Sequence, residues 1–302
     1  MRTKSVTVYQ VDAFTNRKFK GNPAGVVLQA DGLTEPEMLD IARELNNSET
    51  AFVFPPVSAD HDVRLRFFTP STEVPICGHA TIAAHYARAL ENHMESCTVL
   101  HKTGAGILPV QIQKQGKEIR VTMTQGSISI EPPLEKNICR KITDALGLGP
   151  EELDPACPMQ IVSTGHSKVI IGIRRRQTLH ALQPDFNGLV ALSKDIRSNG
   201  YFVFTLDSGQ PDILTHARMF APAIGINEDP VTGNGNGPLG AYLVHHGLVN
   251  HDHRLFCFKG MQGEAMGRPG IISVEVDIEG NRPVRTRVGG QAVLVFKTVI
   301  QI

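Results

Sequence analysis

The chain has 302 residues, enough for two domains of ordinary size, and its 30 Lys and Arg residues balance its 30 Asp and Glu residues. A net charge of zero gives no basis for binding nucleic acid or an anionic membrane surface, and no apolar run approaches the length of a membrane span. The N-terminus lacks a signal-peptide core, so we expect a soluble, cytoplasmic protein. Five scattered cysteines without a C-x-x-C pair are typical of reduced thiols rather than of a disulfide framework or a zinc site.

The first predicted elements lead to an acidic residue at position 49. The alternating N-terminal segment predicts a strand. Thr34 and Glu37 then have the spacing of a capping box, and an apolar stripe at helical spacing follows them, which predicts a helix that ends at Asn46. Glu49 lies between this helix and the apolar strand 51–54. A carboxylate in that place can lose much of its water, which suits a group that takes and returns a proton.

The segment EVPICGHATIAAHYARAL, residues 73–90, predicts a second helix. It follows a predicted strand, VRLRFF, that ends shortly before Pro70. The helix begins at Gly78, directly after Cys77, and small or apolar residues occupy most of its positions, so we predict that it is buried nearly all round. A helix that begins on Cys-Gly-His rather than on a Ser or Asp cap leaves its first amide N–H groups available to a ligand.

The second half of the chain repeats this order of features at an offset of 150 to 155 residues. The matched pairs are FVF at 52–54 and 202–204, RFFTP at 66–70 and RMFAP at 218–222, and EVPICGH at 73–79 and EDPVTGN at 228–234. A looser match joins GNPAGVVL from Gly21 to GHSKVIIGI from Gly165. This internal duplication predicts two similar domains, each with several strands and one central helix.

The helix of the second repeat is predicted to begin at Gly233, with Pro238 in its first turn. Glycine at such a start lets a bound anion reach the backbone and the positive end of the helix dipole. Two helix starts of this kind, one per domain, predict a small carboxylate held in a cleft between the domains. The spacing Gly235-x-Gly237-x-x-Gly240 also fits a dinucleotide fingerprint, but no strand leads directly into it and no acid follows about 20 residues later.

Five segments in order resemble one family over essentially the whole chain. They are VDAFTNRKFKGNPAGVVL, LNNSETAFVF, FTPSTEVPICGHAT, EDPVTGNGNGPLGAYL and GRPG…VGGQAVLVF. On these motifs the chain resembles the PhzF-like isomerases of phenazine biosynthesis, and its YddE-like branch in particular.

That resemblance implies an α/β (α+β) fold like that of diaminopimelate epimerase and proline racemase. Two pseudo-symmetric domains would each have a barrel-like sheet wrapped around a central helix, and the active site would lie between them. The N-terminal domain would comprise residues 1–125, joined by a last strand at about 290–302, and the C-terminal domain would comprise residues 126–289. Neither a metal nor an organic cofactor is implied.

The resemblance also implies the roles of particular residues. The family's catalytic carboxylate corresponds to Glu49, and its Gly-His motif to Gly78 and His79. The acidic residue of its D-P-x-T-G motif corresponds to Asp229, and the glycine of that motif to Gly233. Asn234 stands where the phenazine enzyme has Ser, and this larger amide disfavours the phenazine precursor as substrate. Glu49, His79 and Asp229 are thus the predicted catalytic residues, and Gly78, Gly233 and Asn234 the predicted substrate-binding residues.

Cys77 is the alternative base, because a thiol near a helix N-terminus can be acidified and epimerases of this fold use two thiols. Its counterpart in the repeat is Thr232, which is far too weak a base. The counterpart of Glu49 is the neutral Asn199. The duplication therefore predicts that both repeats supply a glycine-started helix for binding, whereas only the first repeat supplies a residue that can act as a base.

These observations predict a cofactor-independent isomerase that moves a proton on a small carboxylate-bearing substrate, with Glu49 as acid and base. Two alternatives remain open: an amino-acid-type epimerase or racemase that uses Cys77, and a non-catalytic protein that binds a small carboxylate. The expected partner is a small-molecule carboxylate, with no nucleic acid and no membrane, and the sequence is compatible with a homodimer.

Overall fold

The computed structural model describes residues 4–302, in which the chain divides into two compact units. Unit 1 consists of the chain up to Thr124 together with Gly289–Ile302, and unit 2 consists of Gln125–Val288. Among the helices of residues 4–302, none combines the length and the apolar character needed to cross a membrane.

Unit 1 contains two helices and most of the strands of the first repeat. They are β1 (Ser5–Ala13), β2 (Asn22–Val27), α1 (Glu35–Leu45), β3 (Thr50–Phe54), β4 (Val63–Phe68), β5 (Glu73–Val74), α2 (Gly78–Glu91), β6 (Cys97–Thr103), β7 (Gly106–Gln115) and β8 (Glu118–Thr124).

Unit 2 contains the second repeat. Its elements are β9 (Ser129–Pro133), α3 (Lys136–Leu146), β10 (Gln160–Ser163), β11 (Ser167–Gly172), α4 (Arg176–Ala181), α5 (Phe186–Ile196), β12 (Tyr201–Thr205), β13 (Thr215–Ala221), β14 (Ile226–Asp229), α6 (Gly233–His245), β15 (Leu255–Gln262) and β16 (Gly270–Glu279). Short 3-10 turns occupy Pro150–Glu152 and Pro222–Ile224, and β17 (Arg282–Gln301) begins in unit 2 and ends in unit 1.

The sheet of unit 1 closes on itself around α2. Its strands follow the order β1, β2, β3, β4, β6, β7, β8, β17, and β17 pairs back with β1. The pairs β2–β3 and β4–β6 are parallel. Most residues of α2 are buried because the helix contacts β1, β2, β3, β7 and β8. A helix surrounded in this way has to be made of small and apolar residues, which its sequence provides.

The sheet of unit 2 repeats this pattern of strand directions. Its order is β9, β10, β11, β12, β13, β15, β16, with β11–β12 and β13–β15 parallel and the other pairs antiparallel. The helix α6 contacts β10, β11, β15 and β16 and is buried along most of its length. The predicted fold class, two similar α+β units that each wrap a sheet around a helix, is therefore confirmed.

The repeated Arg and Glu residues make the same pair of contacts in both units. Arg66 forms a two-pronged ion pair with Glu73 at 2.5 and 2.7 Å, and its guanidinium stacks on Phe68. Arg218 forms the equivalent pair with Glu228 at 2.7 and 2.9 Å, and it stacks on Phe220 in the same way. The two-pronged geometry ties each helix-leading segment to the strand before it.

Two local predictions have opposite outcomes. The capping box of Thr34 and Glu37 is present, and α1 ends at Asn46 in the left-handed conformation, so that helix prediction is confirmed. The prediction that Pro238 lies in the first turn of α6 is wrong. The helix begins at Gly233, after Thr232 in extended conformation, which makes Pro238 its sixth residue. A proline there removes one backbone hydrogen bond of the helix.

The glycines of α6 serve close packing. A Cβ atom on Gly235 would lie 2.3 Å from the ring of Phe202, and one on Gly237 would lie 1.6 Å from Oε1 of Gln125. Side chains at these positions would collide with the sheet and with Gln125. The dinucleotide-like spacing thus has a structural explanation.

Candidate active site

The loop between α1 and β3 positions Glu49 in unit 1. Asn46 ends α1 in the left-handed conformation, which turns the chain at once towards β3. The Glu49 side chain is 13% exposed. Its Oε2 atom is buried and accepts no hydrogen bond from any of residues 4–302. Such an oxygen keeps its lone pairs available for a proton on a bound molecule.

His79 is the nearest polar partner of Glu49. Its Nε2 atom lies 3.5 Å from Glu49 Oε2 and 3.3 Å from Ser48 Oγ. The imidazole is 6% exposed and belongs to the first turn of α2. A carboxylate and an imidazole this close can pass a proton between them or share one with a third group.

Cys77 completes this group from the N-cap position of α2. Its Sγ atom lies 3.4 Å from His79 Nδ1, so the histidine contacts the thiol through one nitrogen and the carboxylate through the other. No side chain of residues 4–302 caps α2, and no acidic residue lies in its first turn. The helix start thus offers amide N–H groups and a positive potential to an anion.

Glu49, Cys77 and His79 also satisfy the spacing of a metal-ligand set. Each contributes one donor atom, and the three atoms lie within 4.8 Å of one another. Carboxylate, thiolate and imidazole are ordinary ligands of zinc. The group could therefore hold a divalent metal as well as exchange protons.

In unit 2, Asp229 ends β14 and begins a hydrogen-bonded loop. Its side-chain Oδ2 accepts a short hydrogen bond from Thr232 Oγ1. Gln262 donates through Nε2 to the Asp229 carbonyl at 2.7 Å and to Thr232 Oγ1 at 3.1 Å. Through Oε1, Gln262 also accepts from the Thr232 amide at 3.0 Å. Thr232, the counterpart of Cys77, is therefore a structural hydroxyl that fixes Asp229.

Asn234 is held by Gln125. Nε2 of Gln125 donates to Asn234 Oδ1 at 3.2 Å and to the Gly233 carbonyl at 3.1 Å. Oε1 of Gln125 accepts hydrogen bonds from the hydroxyls of Thr164 and Thr286, each at 3.1 Å. A fully bonded glutamine of this kind fixes the first turn of α6, since rotating it would break several buried hydrogen bonds.

Lys168 is a further charged residue of unit 2. It is buried in β11, and this burial lowers the pKa of its ammonium group to about 8, although the nearby charge of Asp229 acts in the opposite direction. Because burial outweighs the Asp229 charge, a fraction of the Lys168 ammonium groups is deprotonated near physiological pH.

The predicted site residues thus form two groups, one in each unit. Glu49, His79 and Cys77 lie together in unit 1, and Asp229, Gly233 and Asn234 lie together in unit 2. Sequence reasoning missed Gln125, Gln262 and Lys168. The only signal for Lys168 was a charge inside an otherwise apolar strand, and the two glutamines carried none.

Comparison with known proteins gives matches along the whole chain. The PhzC-PhzF family model, described as phenazine biosynthesis-like protein, matches residues 11–298. An uncharacterized isomerase of Clostridium acetobutylicum is 56% identical over 98% of this chain and 98% of its own. The uncharacterized isomerase YddE of Escherichia coli K12 is 49% identical over 96% of each chain. The crystal structure of a PhzF family protein from Bacillus anthracis is 32% identical, covers 99% of this chain and 100% of its own, and gives a TM-score of 0.87.

Proposed function

The chain belongs to the PhzC-PhzF, phenazine biosynthesis-like family and is an isomerase, and we propose that it moves a proton within a small carboxylate-bearing substrate, with Glu49 as the acid and base. No cofactor takes part in the proposed step. Glu49 removes a proton from an acidified carbon and returns it to another carbon of the same molecule, so the reaction is balanced without an oxidant or a reductant.

The observation that carries this proposal is the state of the Glu49 carboxylate. Its Oε2 atom is buried, accepts no hydrogen bond from any of residues 4–302, and lies 3.5 Å from His79 Nε2. An unsatisfied buried carboxylate oxygen is costly for folding, and proteins retain such groups where they act on a ligand.

The starts of α2 and α6 support binding of a carboxylate. Cys77 and Thr232 occupy the N-cap positions, and neither makes a side-chain capping hydrogen bond. The amide group at Gly78 in unit 1 and the amide group at Gly233 in unit 2 are therefore proposed, each within its own unit, as donors to a carboxylate. Donors of this kind also stabilise negative charge that develops on an adjacent carbonyl or enolate oxygen.

His79, Asp229 and Asn234 have positioning roles in this proposal. His79 orients the Glu49 carboxylate and can share the proton in transit. Asp229 is fixed by Thr232, and Asn234 is fixed by Gln125, so both present defined polar atoms to a substrate. This rigidity favours one substrate geometry over another.

A second candidate mechanism is a thiol-based epimerase. The 3.4 Å contact between Cys77 Sγ and His79 Nδ1 favours it, because a neighbouring imidazole can withdraw the thiol proton. A two-base racemase needs a second base on the opposite face of the substrate. Thr232, the counterpart of Cys77, is a hydroxyl bonded to Asp229 and is too weak for that role.

The experiment that tests the proposal follows solvent-proton exchange. The purified protein is incubated in D2O with a panel of small carboxylic acids that carry an acidified C–H bond, and 1H NMR records incorporation of deuterium. Exchange that requires Glu49 supports the one-base isomerase. Exchange that survives in Glu49→Gln but is lost in Cys77→Ala supports the epimerase. Binding of a panel member without any exchange identifies a binding protein without turnover.

A further inference from the structure

Unit 2 contains a second group of titratable side chains. His180 belongs to α4, His216 belongs to β13, and Glu264 lies in the turn after β15. His216 Nδ1 lies 2.5 Å from Glu264 Oε2, and His180 Nε2 lies 3.1 Å from the same oxygen. Two imidazoles from different elements therefore converge on one carboxylate oxygen.

The backbone fixes the carboxylate at this point. Gly263 has a φ of +84°, and a Cβ atom on it would lie 2.4 Å from the Arg268 carbonyl oxygen, so the turn requires glycine here. The Gly267 amide donates to the Glu264 carbonyl, and the Arg268 amide donates to the Gly263 carbonyl, each at 3.0 Å. Glu264 thus projects from a tight, hydrogen-bonded turn.

His216 is fixed equally well. It lies in a strand that pairs with β12 on one side and β15 on the other, and its side chain is fully buried. Its Nε2 atom is buried and has no hydrogen-bond partner among residues 4–302. Nδ1 is thus the nitrogen of this ring that contacts a polar partner, Glu264 Oε2.

The donor atoms of the group suit a cation. Two imidazole nitrogens and one carboxylate oxygen face a common point, and both kinds of atom are ordinary ligands of transition metals. Beside the group, a polar cavity of about 560 Å³ is lined by Arg176, Gln177, His180, Asp207, Gln210 and Glu264.

We propose that His180, His216 and Glu264 bind a divalent transition metal ion such as Zn²⁺. The three donor atoms lie within 4.8 Å of one another. Zinc binds imidazole nitrogen and carboxylate oxygen at about 2.0–2.2 Å, so ligand atoms around one ion lie roughly 3.3 Å apart. The separations of the two imidazole nitrogens from Glu264 Oε2, 2.5 and 3.1 Å, are close to that value. Two histidines disfavour Mg²⁺ and Ca²⁺, which prefer oxygen ligands.

The fourth coordination position would open to the polar cavity. His180 and Glu264 both line this cavity, so a water molecule or an anion could complete the coordination there. Arg176 in the same lining would favour an anion as the exchangeable ligand. Three protein ligands with one open position is the arrangement of reactive rather than purely structural zinc sites.

Isothermal titration of the chelator-stripped protein with Zn²⁺ tests the proposal. Wild type should bind one more Zn²⁺ ion per chain tightly than His180→Ala does. Glu264→Gln keeps the shape of the side chain, and its affinity for that Zn²⁺ ion should be at least tenfold lower than that of wild type. His245→Ala is the matched control, because His245 is an exposed histidine of unit 2 outside the group. Its titration should match that of wild type.

Zinc can also bind the exposed thiols of Cys97 and Cys257 and the group formed by Glu49, Cys77 and His79, so the result is read as a difference between variants. Co²⁺ gives a second readout. The difference spectrum, wild type minus His180→Ala, should show a visible d–d band and no thiolate charge-transfer band. Equal stoichiometry and affinity in wild type, His180→Ala and Glu264→Gln would overturn the proposal. Because no substrate is needed, the result is independent of the proposed isomerase activity.

Discussion

His79 contacts Glu49 through Nε2 at 3.5 Å, while the other nitrogen of the same ring lies 3.4 Å from Cys77 Sγ. One imidazole therefore links the two residues that compete for the role of base. In the one-base isomerase Glu49 takes and returns the proton, whereas in the thiol-based epimerase Cys77 does so. Single substitutions of Glu49 and Cys77 therefore distinguish the two mechanisms.

The first prediction concerns Glu49. Glu49→Gln keeps the size of the side chain but removes its ability to accept a proton, so we expect solvent exchange and turnover to fall by at least about 100-fold. Binding of the same carboxylic acids should remain. Glu44→Gln, on the exposed side of α1, is the control and should behave as wild type. Exchange at the native rate in Glu49→Gln would contradict the assignment.

The second prediction concerns Cys77. Cys77→Ala removes the thiol from the N-cap of α2, where it makes no side-chain capping bond, and we expect exchange and turnover within a few-fold of wild type. Circular dichroism and thermal unfolding establish that the variant is folded. If activity is lost in a folded Cys77→Ala protein, the thiol mechanism is correct and the one-base mechanism is wrong.

The third prediction concerns acid stability. His85 and His101 are buried in unit 1 with ring centroids 5.3 Å apart. Burial lowers the pKa of His101 to about 4 and lowers that of His85 well below its usual value, and the Arg88 charge acts in the same direction on both rings. The native state therefore keeps both rings neutral at pH values at which the unfolded chain binds protons.

The sign of the effect follows from this difference in bound protons. The contribution of His101 to stability is complete above about pH 6.5 and is lost as the pH falls towards 4, by up to about 1.4 kcal/mol per pH unit. The contribution of His85 is lost in the same direction as the pH falls. The free energy of unfolding, measured with urea at pH 7, 6 and 5, should therefore fall less steeply with decreasing pH in His101→Leu than in wild type, because one of the two rings is gone. His93→Asn, at an exposed position where asparagine tolerates the positive φ, should keep the wild-type slope. An unchanged slope in His101→Leu would contradict the prediction.

The fourth prediction compares the two repeats. Arg218 is buried, pairs with Glu228 and donates through Nη1 to the carbonyls of Leu179 and Leu182 at 3.1 and 2.8 Å. Arg218→Ala takes this partner from a largely buried carboxylate, 13% exposed, and from two carbonyls, so we expect a loss of about 3–5 kcal/mol in the free energy of unfolding.

Arg66 provides the matched control, because its pair with Glu73 is more exposed, with side-chain exposures of 23% and 38%. Arg66→Ala should cost about 1 kcal/mol or less. The midpoints of urea unfolding of the two variants measure the difference. Equal losses would show that burial of the pair does not determine its contribution.

The sequence by itself determined the family, the fold class and the start of both central helices. Its motifs form an ordered series over the whole chain, and the family match over residues 11–298 confirms the resemblance. The helix starts were predictable because Cys77-Gly78 and Thr232-Gly233 follow strands that end near a proline. These features depend on local spacing, which a single sequence displays directly.

Only the tertiary structure decided which side chains meet. The contact of His180, His216 and Glu264 joins residues up to 84 positions apart, and Gln125 reaches Asn234 across 109 positions. No local pattern in the sequence marks such pairs, because they depend on the order and register of strands in the sheet. The burial that lowers the pKa of Lys168 has the same origin, since neighbouring strands and side chains, not the residue's own segment, exclude water from it.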